Sequence, residues 1–481
     1  MFTTNVPKFQ RCFSQKVIVL SGMTGIGKTS FTQQLKKEVN GEIICADSSQ
    51  IYKGLKVLTN KERMEDGKYA HLTAKWNHQD KVTSARYALE CRQKIKEIFQ
   101  RGKTPILEGG SGFYIQSVFN RKLLTPKPNF EQAKLEAERI LEKNNYDYKV
   151  LQKYDPENYL CTNPQFSKYK LVNSLAIVLS FNPHDGTESP SQPPLSELIK
   201  EAEDDPDNIY FSQIPKRCFY LYNTDKFLVN EALDYRCENM ILKNNLFQEV
   251  LNYCHQVRQF LEHHCQISFT NPSEATSALS YQESEFKDIL SLYDPLKESS
   301  ISQIKEMYPV THSIGFFQVL KYFHRLNSLE AIDGEVIKEF KAFLREFKTA
   351  NHQYVKRQNT WFKSSNRDPP FYKIEKLPNE NTGVMEQILP LITCSEDEYL
   401  SKLAQNFKEP DFPQEPPTQN SSDDFENFMN AQKTLKDSKQ LKQKMYEPKS
   451  KILRNEYKLS RAMYLSQKAA QRYKEMTGNC Y

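Results

Sequence analysis

The chain has 481 residues, room for two or three domains with at least one large core. Hydrophobic residues make up 38% and aromatics 12%, so it can fold without disulfide staples, and it has no apolar run of about eighteen residues or more that would span a bilayer. A net charge of +6 is modest for this length: it permits an acidic partner such as nucleic acid without requiring one.

The first residues carry Lys8, Arg11 and Lys16, and no acid precedes Glu38. That pattern suits a short mitochondrial presequence and equally a segment leading into a phosphate site. Residues 16–21 (KVIVLS) read as a buried strand. Next comes Gly22-Met23-Thr24-Gly25-Ile26-Gly27-Lys28-Thr29, the pattern G-x-x-x-x-G-K-[ST] between a strand and a helix. Its glycines, Gly22, Gly25 and Gly27, let backbone amides, that of Ile26 included, converge on phosphate oxygens. Lys28 supplies a mobile charge, the Thr29 hydroxyl is a candidate Mg²⁺ ligand, and the following helix, to about Val39, aims its positive end at the same oxygens. Residues 42–46 and 104–108 read as further strands, with a helix over 82–100 between them. Alternating strands and helices predict an α/β fold with a parallel sheet.

Residues 128–180 read as helical, with apolar patches at Ala133, Leu135, Ile140 and Leu141. The proline- and acid-containing stretch 182–207 reads as a surface loop, 214–222 as a returning strand, and 226–256 as one or two helices. Residues 266–282 read as loop. In the helix predicted over 335–358, Ile337, Phe340, Leu344 and Phe347 form an apolar stripe. Lys338, Lys341, Arg345, Lys348, His352 and Lys356 form a basic one, suited either to solvent or to tracking RNA phosphates. Beyond about Glu375 the chain reads as polar and loosely patterned, with a Pro/Ser/Asp-rich linker at 408–424. The segment 433–474 carries 13 Lys and Arg residues and few acids, and is a second candidate for RNA backbone contact. None of the ten cysteines lies in a CxxC pair, which argues against a zinc ribbon or finger and suits a reducing compartment.

The phosphate loop alone fits a kinase, an ATPase or any enzyme with a diphosphate leaving group. Glu108, closing a strand, keeps the ATPase reading open because an acid there can order Mg²⁺ or water. Further motifs narrow the choice. Ala46-Asp47-Ser48-Ser49-Gln50-Ile51-Tyr52-Lys53-Gly54 resembles the Ala-Asp-Ser-x-Gln-x-Tyr segment of the transfer-RNA dimethylallyltransferase family. Gly109-Gly110-Ser111-Gly112-Phe113-Tyr114-Ile115 resembles that family's Gly-Gly-Thr-Gly-Leu-Tyr, and Lys356-Arg357-Gln358-Asn359-Thr360-Trp361-Phe362-Lys363 its Lys-Arg-Gln-x-Thr-Trp-Phe-Arg. Weaker echoes are Arg236 to Val250 and Ile314-Gly315-Phe316. All occur in the family's order between about residues 16 and 363.

The resemblance implies a P-loop α/β core that transfers dimethylallyl from its diphosphate to N6 of adenosine 37 in the anticodon stem-loop of tRNA, with Mg²⁺. It implies four segments: 14–124, first half of the core; 125–207, a helical insertion gripping the anticodon arm; 208–375, second half with RNA-binding helices; and 376–481, linker and basic tail. Catalysis falls to Asp47 as general base, with Thr24 and Arg236 on the diphosphate beside the phosphate loop. The adenine and RNA contacts implied are Asp47, Ser48, Gln50, Ser111, Lys170, Lys356, Arg357 and Gln358; Tyr52, Phe113 and Tyr114 are candidates to stack the extruded base or to be core. The chain departs from the family at Lys170 to Ala176, where the pattern Arg-x-x-Arg-Ala-Leu-Glu is eroded, and lacks the C-terminal zinc finger of many eukaryotic members. An adenylate isopentenyltransferase acting on free nucleotide is the nearest alternative. A monomer is expected, in mitochondrion, cytoplasm or both, with no membrane association.

Overall fold

The computed structural model describes residues 16–124, 127, 129–154, 168–181, 195–264, 288–327, 333–364, 367–378, 380–381, 383–407 and 456–477. The expectations for Lys8 and Arg11, for 182–194, for 266–282, for the linker 408–424 and for the basic residues of 433–455 lie outside these.

The elements run β1 (Val17–Gly22), α1 (Lys28–Glu38), β2 (Gly41–Cys45), α2 (Ser84–Gln100), β3 (Thr104–Glu108), α3 (Gly112–Val118), α4 (Phe130–Lys143), α5 (Lys168–Ser180), α6 (Leu195–Asp204), α7 (Pro206–Gln213) and β4 (Lys216–Tyr222). They continue with α8 (Lys226–Leu242), α9 (Leu246–His264), α10 (Glu298–Met307), α11 (Phe316–Asn327), α12 (Asp333–Lys363), β5 (Tyr372–Glu375), α13 (Val384–Thr393), α14 (Glu396–Phe407) and α15 (Glu456–Thr477). The described residues fall into two compact units, one drawn from 16–81, 101–112 and from 216 onward, the other from 82–100 and from 113 to 215.

The first unit is built on a five-stranded sheet in the order β2-β3-β1-β4-β5, every pair parallel. All six residues of β1 are buried, as a central strand covered on both faces requires. Its register sets Ile18 beside Ile106 and Arg217, and Val19 beside Leu107 and Cys218. The edge strand β5 is closed by Asn406 of α14, whose side chain accepts from Lys373 N at 2.6 Å and donates to Lys373 O at 3.1 Å. That pairing satisfies an edge that would otherwise offer bare backbone groups. Arg217, fully buried on β4, donates to the carbonyls of Leu391 and Cys394 and to Glu396, fixing the turn between α13 and α14. The stretch beyond Glu375, expected to be loosely patterned, is therefore ordered structure as far as Phe407.

α12 is longer than expected and its buried stripe is shifted. Val336, Phe340, Phe343 and Phe347 face inward, whereas Ile337 is exposed and Leu344 half-buried. The inward rings meet the aromatics of α9 and α11: Phe343 lies 5.3 Å from Phe247 and 5.1 Å from Tyr322, centroid to centroid. Such pairs add about 0.5–1.5 kcal/mol each beyond burial. The basic stripe is also shorter than its sequence. Lys348 is ion-paired with Glu238 at 2.7 Å and with Asp234 at 3.3 Å, and His352 contacts Asp234 at 2.9 Å, all on α8. α15 docks through buried Ala462, Ser466, Ala469 and Tyr473; Ser466 accepts from the Tyr322 hydroxyl at 3.1 Å. Lys458, Arg461, Lys468 and Lys474 stay exposed.

In the second unit α4 and α5 pack around Ala137, Leu141, Leu175 and Ala176, while Leu135 points outward. Buried Arg92 of α2 donates to Val118 O at 2.8 Å, Asn120 O at 3.0 Å and Asn208 Oδ1 at 2.5 Å. Residues 195–204 and 206–213, expected within or beside a loop, are helices. Asp205 caps the second by accepting from Asn208 N at 2.9 Å, with Pro206 at its first position.

Candidate active site

Parallel strands deliver their loops to one end of the sheet, and at that end three motif loops converge. Gly25 and Gly27 take positive φ, 83° and 89°, as the loop turns into α1, and the Ile26 amide, expected to face phosphate, donates to Met23 O at 3.2 Å. Lys28 Nζ donates to the carbonyls of Gly22 at 2.8 Å and Met23 at 3.0 Å. The loop after β3 presses against the loop after β2: a Cβ on Gly109 would sit 2.0 Å from Ala46 O, so only glycine fits. Ala46 N donates to Glu108 O at 2.6 Å, and Ser111 N to Ala46 O at 3.1 Å.

This clasp aims Asp47. Its Oδ1 accepts from Ser49 N at 2.9 Å and Gln50 N at 3.2 Å, and no described residue donates to Oδ2. One oxygen is thus fixed, and the other can accept a proton. Burial lowers the Lys28 pKa to about 8, against the opposing charges of Glu108 and Asp47 and with the help of Arg236. Arg236, on α8, is lowered from its ordinary value, chiefly by burial; Asp47 and Glu62 oppose that shift. Its Nε is buried with no hydrogen-bond partner among the described residues. An interior guanidinium N–H of that kind suits a bound anion. Asp47, Glu108 and Arg236 are therefore all near enough to Lys28 to act on its charge.

Thr29 Oγ1 donates to Glu108 Oε1 at 2.8 Å, on the wall of a cavity also lined by Gln33, Gln50, Asn60 and Glu62. Burial holds the Glu108 carboxyl above the usual carboxylate range, opposed by the Thr29 hydrogen bond and the Lys28 charge. Hydroxyl, carboxylates and amide oxygens form the donor set that magnesium takes, so the residues fit that ion.

Other motif residues have structural partners. Gln358 is buried; its Oε1 accepts from Thr24 N at 3.0 Å and Thr24 Oγ1 at 2.9 Å, joining α12 to the phosphate loop. Gln50 donates to Thr59 O at 3.1 Å, and Ser111 Oγ accepts from Ser48 N at 2.8 Å. Lys356 and Arg357 are exposed on α12, and Lys170 is exposed on α5 of the second unit. Tyr52 is buried, Tyr114 stacks on Tyr87 at 4.3 Å and is buried, and Phe113 is 67% exposed. Glu249, within the Arg236–Val250 echo but given no role by the sequence, has a carboxylate that accepts from Val57 N at 2.7 Å and Leu58 N at 2.9 Å. Lys61 was also missed: it is buried, and burial lowers its pKa to about 8. Nothing local marks Lys61.

A loop of the pattern G-x-x-x-x-G-K-[ST], an aspartate with one uncommitted oxygen and an interior arginine thus lie at one end of the parallel sheet of an α/β enzyme. The IPP transferase family model matches residues 50–365, and the chain belongs to that family. A "tRNA dimethylallyltransferase 9" of Arabidopsis thaliana is 28% identical over an alignment of 389 residues that covers 75% of this chain and 72% of that one. A tRNA dimethylallyltransferase of Saccharomyces cerevisiae is 36% identical over 148 residues, 30% of this chain and 34% of the relative. A crystal structure of a eukaryotic dimethylallyltransferase acting on tRNA shares the fold, with TM-score 0.52, 21% identity, and coverage of 81% of this chain and 80% of that one.

Proposed function

We propose that the protein transfers the dimethylallyl group of dimethylallyl diphosphate to N6 of adenosine 37 in the anticodon stem-loop of tRNA. The observation that carries this reading is Asp47, held through one oxygen beside Lys28 and Arg236. The bond from the allylic carbon to the diphosphate oxygen breaks, and its electrons leave with diphosphate. The adenine nitrogen forms the new carbon–nitrogen bond and gives up a proton. That nitrogen is a weak nucleophile because its lone pair is spread into the ring; Asp47 Oδ2 orients the amino group and takes the proton. Lys28, the phosphate-loop amides and Arg236 stabilise the charge growing on the leaving group. Thr24 donates its hydroxyl to Gln358, and it would serve the diphosphate only by giving up that bond.

Thr29 and Glu108 would hold Mg²⁺, which when bound supplies further charge neutralisation at the diphosphate. Ser48 and Ser111 line the approach of the base, and Lys356 and Arg357 at one end of α12 contact RNA phosphates. In the second unit Lys170 serves the anticodon arm. The exposed basic residues of α15 suit the same polyanion. The basic, acid-free start of the chain suits reaction in mitochondrion, cytoplasm or both.

The test is transfer of labelled dimethylallyl diphosphate, with Mg²⁺, to unmodified tRNA, with AMP and ATP as parallel acceptors. Label on RNA is the expected outcome. Label on nucleotide moves the enzyme to the free-nucleotide branch, and label on neither across several tRNAs refutes the reading.

A further inference from the structure

Lys376 follows β5 directly, at the end of the sheet where the phosphate loop lies, and beyond the residues the family model matches. Its backbone is fixed: N–H donates to Tyr222 O at 2.9 Å, and its carbonyl accepts from Asn223 Nδ2 at 2.8 Å. The side chain is buried, and Nζ donates to Ile26 O at 2.7 Å and Leu377 O at 2.9 Å. No carboxylate forms an ion pair with it among the described residues, and Glu380 acts on it only at longer range. Burying an ammonium is costly unless hydrogen bonds and an opposite charge compensate. The described protein groups give Lys376 the hydrogen bonds and not the opposite charge, which an anion in the adjacent loop would provide.

The geometry says how the two communicate. The Ile26–Gly27 peptide is planar and trans, so its carbonyl and its N–H point to opposite sides. A cation bound to the Ile26 carbonyl sets the Gly27 N–H facing the other way and polarises it as a donor. Gly27 sits at φ 89°, in the turn that gathers amides around a phosphate.

We propose that Lys376 is a positioning residue for the leaving diphosphate, gripping the phosphate loop from behind through Ile26 and adding a second buried positive charge to that of Lys28. The inference rests on the diphosphate-donor reading above. It ties donor binding to β5, an edge strand at the end of the sheet farthest from β2.

The test uses the full chain and measures the affinity of inorganic diphosphate by calorimetry, with an anticodon stem-loop RNA titrated in parallel. Lys376→Met should weaken diphosphate about tenfold or more, the size expected for a lost charge-assisted hydrogen bond, with RNA affinity within about twofold of native. Lys376→Arg, which keeps the cation, should recover most of the loss. In steady-state transfer the change should fall on KM for the prenyl donor and not on KM for tRNA. If Lys376→Met does not fold, Lys376→Gln takes its place under the same criterion. Diphosphate affinity within twofold of native overturns the proposal. So does a parallel loss of diphosphate and RNA binding, or failure of the arginine to rescue. A native chain that does not bind diphosphate would instead overturn the donor reading itself.

Discussion

Gln358 gives a test in which fold and charge can be separated. Its Oε1 accepts from Thr24 N and Thr24 Oγ1 at 3.0 and 2.9 Å, in a buried position. Gln358→Leu removes the one acceptor and leaves two donors unmatched. At about 0.5–1.5 kcal/mol net for each bond, stability should fall by about 1–3 kcal/mol. Gln358→Glu keeps an oxygen for both donors yet places a negative charge beside the phosphate loop. A charge about 5–7 Å from the bound anion at an effective dielectric of about 20 repels it by roughly 2–3 kcal/mol, or about 30- to 150-fold in affinity. Thermal unfolding and diphosphate titration of both variants read the two effects separately. The expected pattern is a stable glutamate variant that binds diphosphate poorly and a leucine variant that is destabilised. A glutamate variant with native diphosphate affinity would refute the placement of Gln358 and Thr24 at the donor site.

Diphosphate affinity should fall above about pH 8, because the Lys28 pKa is lowered to about 8 from 10.5 and the anion needs the charged form. The sign for the free protein is opposite: between those values the unfolded chain holds the extra proton, so this group's cost to folding is present below pH 8 and relieved as pH rises toward 10.5. Lys28→Met should flatten the binding profile only in part, because Lys376, also lowered to about 8, titrates beside it; a fully unchanged profile would contradict the assignment. Gly112→Ala should destabilise the first unit by about 1–3 kcal/mol, since its Cβ would lie 2.2 Å from the Trp361 ring, measurable as a lower denaturation midpoint.

What could be read from the sequence follows the range over which each constraint acts. The phosphate loop, β1 and β3 are written locally, in glycines that must turn and residues that must be buried on both sides. β5 is four residues long, lies at an edge and alternates weakly, so it has no such signature. Ile337 and Leu344 each stand one position from the buried stripe of α12, because a 31-residue helix of mixed polarity admits neighbouring registers and packing by α9 and α11 selects one. Lys348 and His352 read as RNA contacts until Asp234 and Glu238, more than a hundred residues earlier, take them up. The helices at 195–213 were hidden by prolines that start a helix as readily as they break one. Lys376 reaches Ile26 across 350 residues of sequence, a separation at which no motif operates.

The central claim is that Asp47 is the proton acceptor beside a diphosphate held by the phosphate loop, and single-turnover transfer by Asp47→Asn tests it most directly. The asparagine keeps an acceptor for Ser49 N and Gln50 N, so the loop should hold its shape. The account expects the rate of transfer to tRNA to fall by about 10²- to 10⁴-fold while diphosphate affinity stays within about threefold of native. Transfer at the native rate, or a loss that tracks diphosphate binding alone, would contradict it.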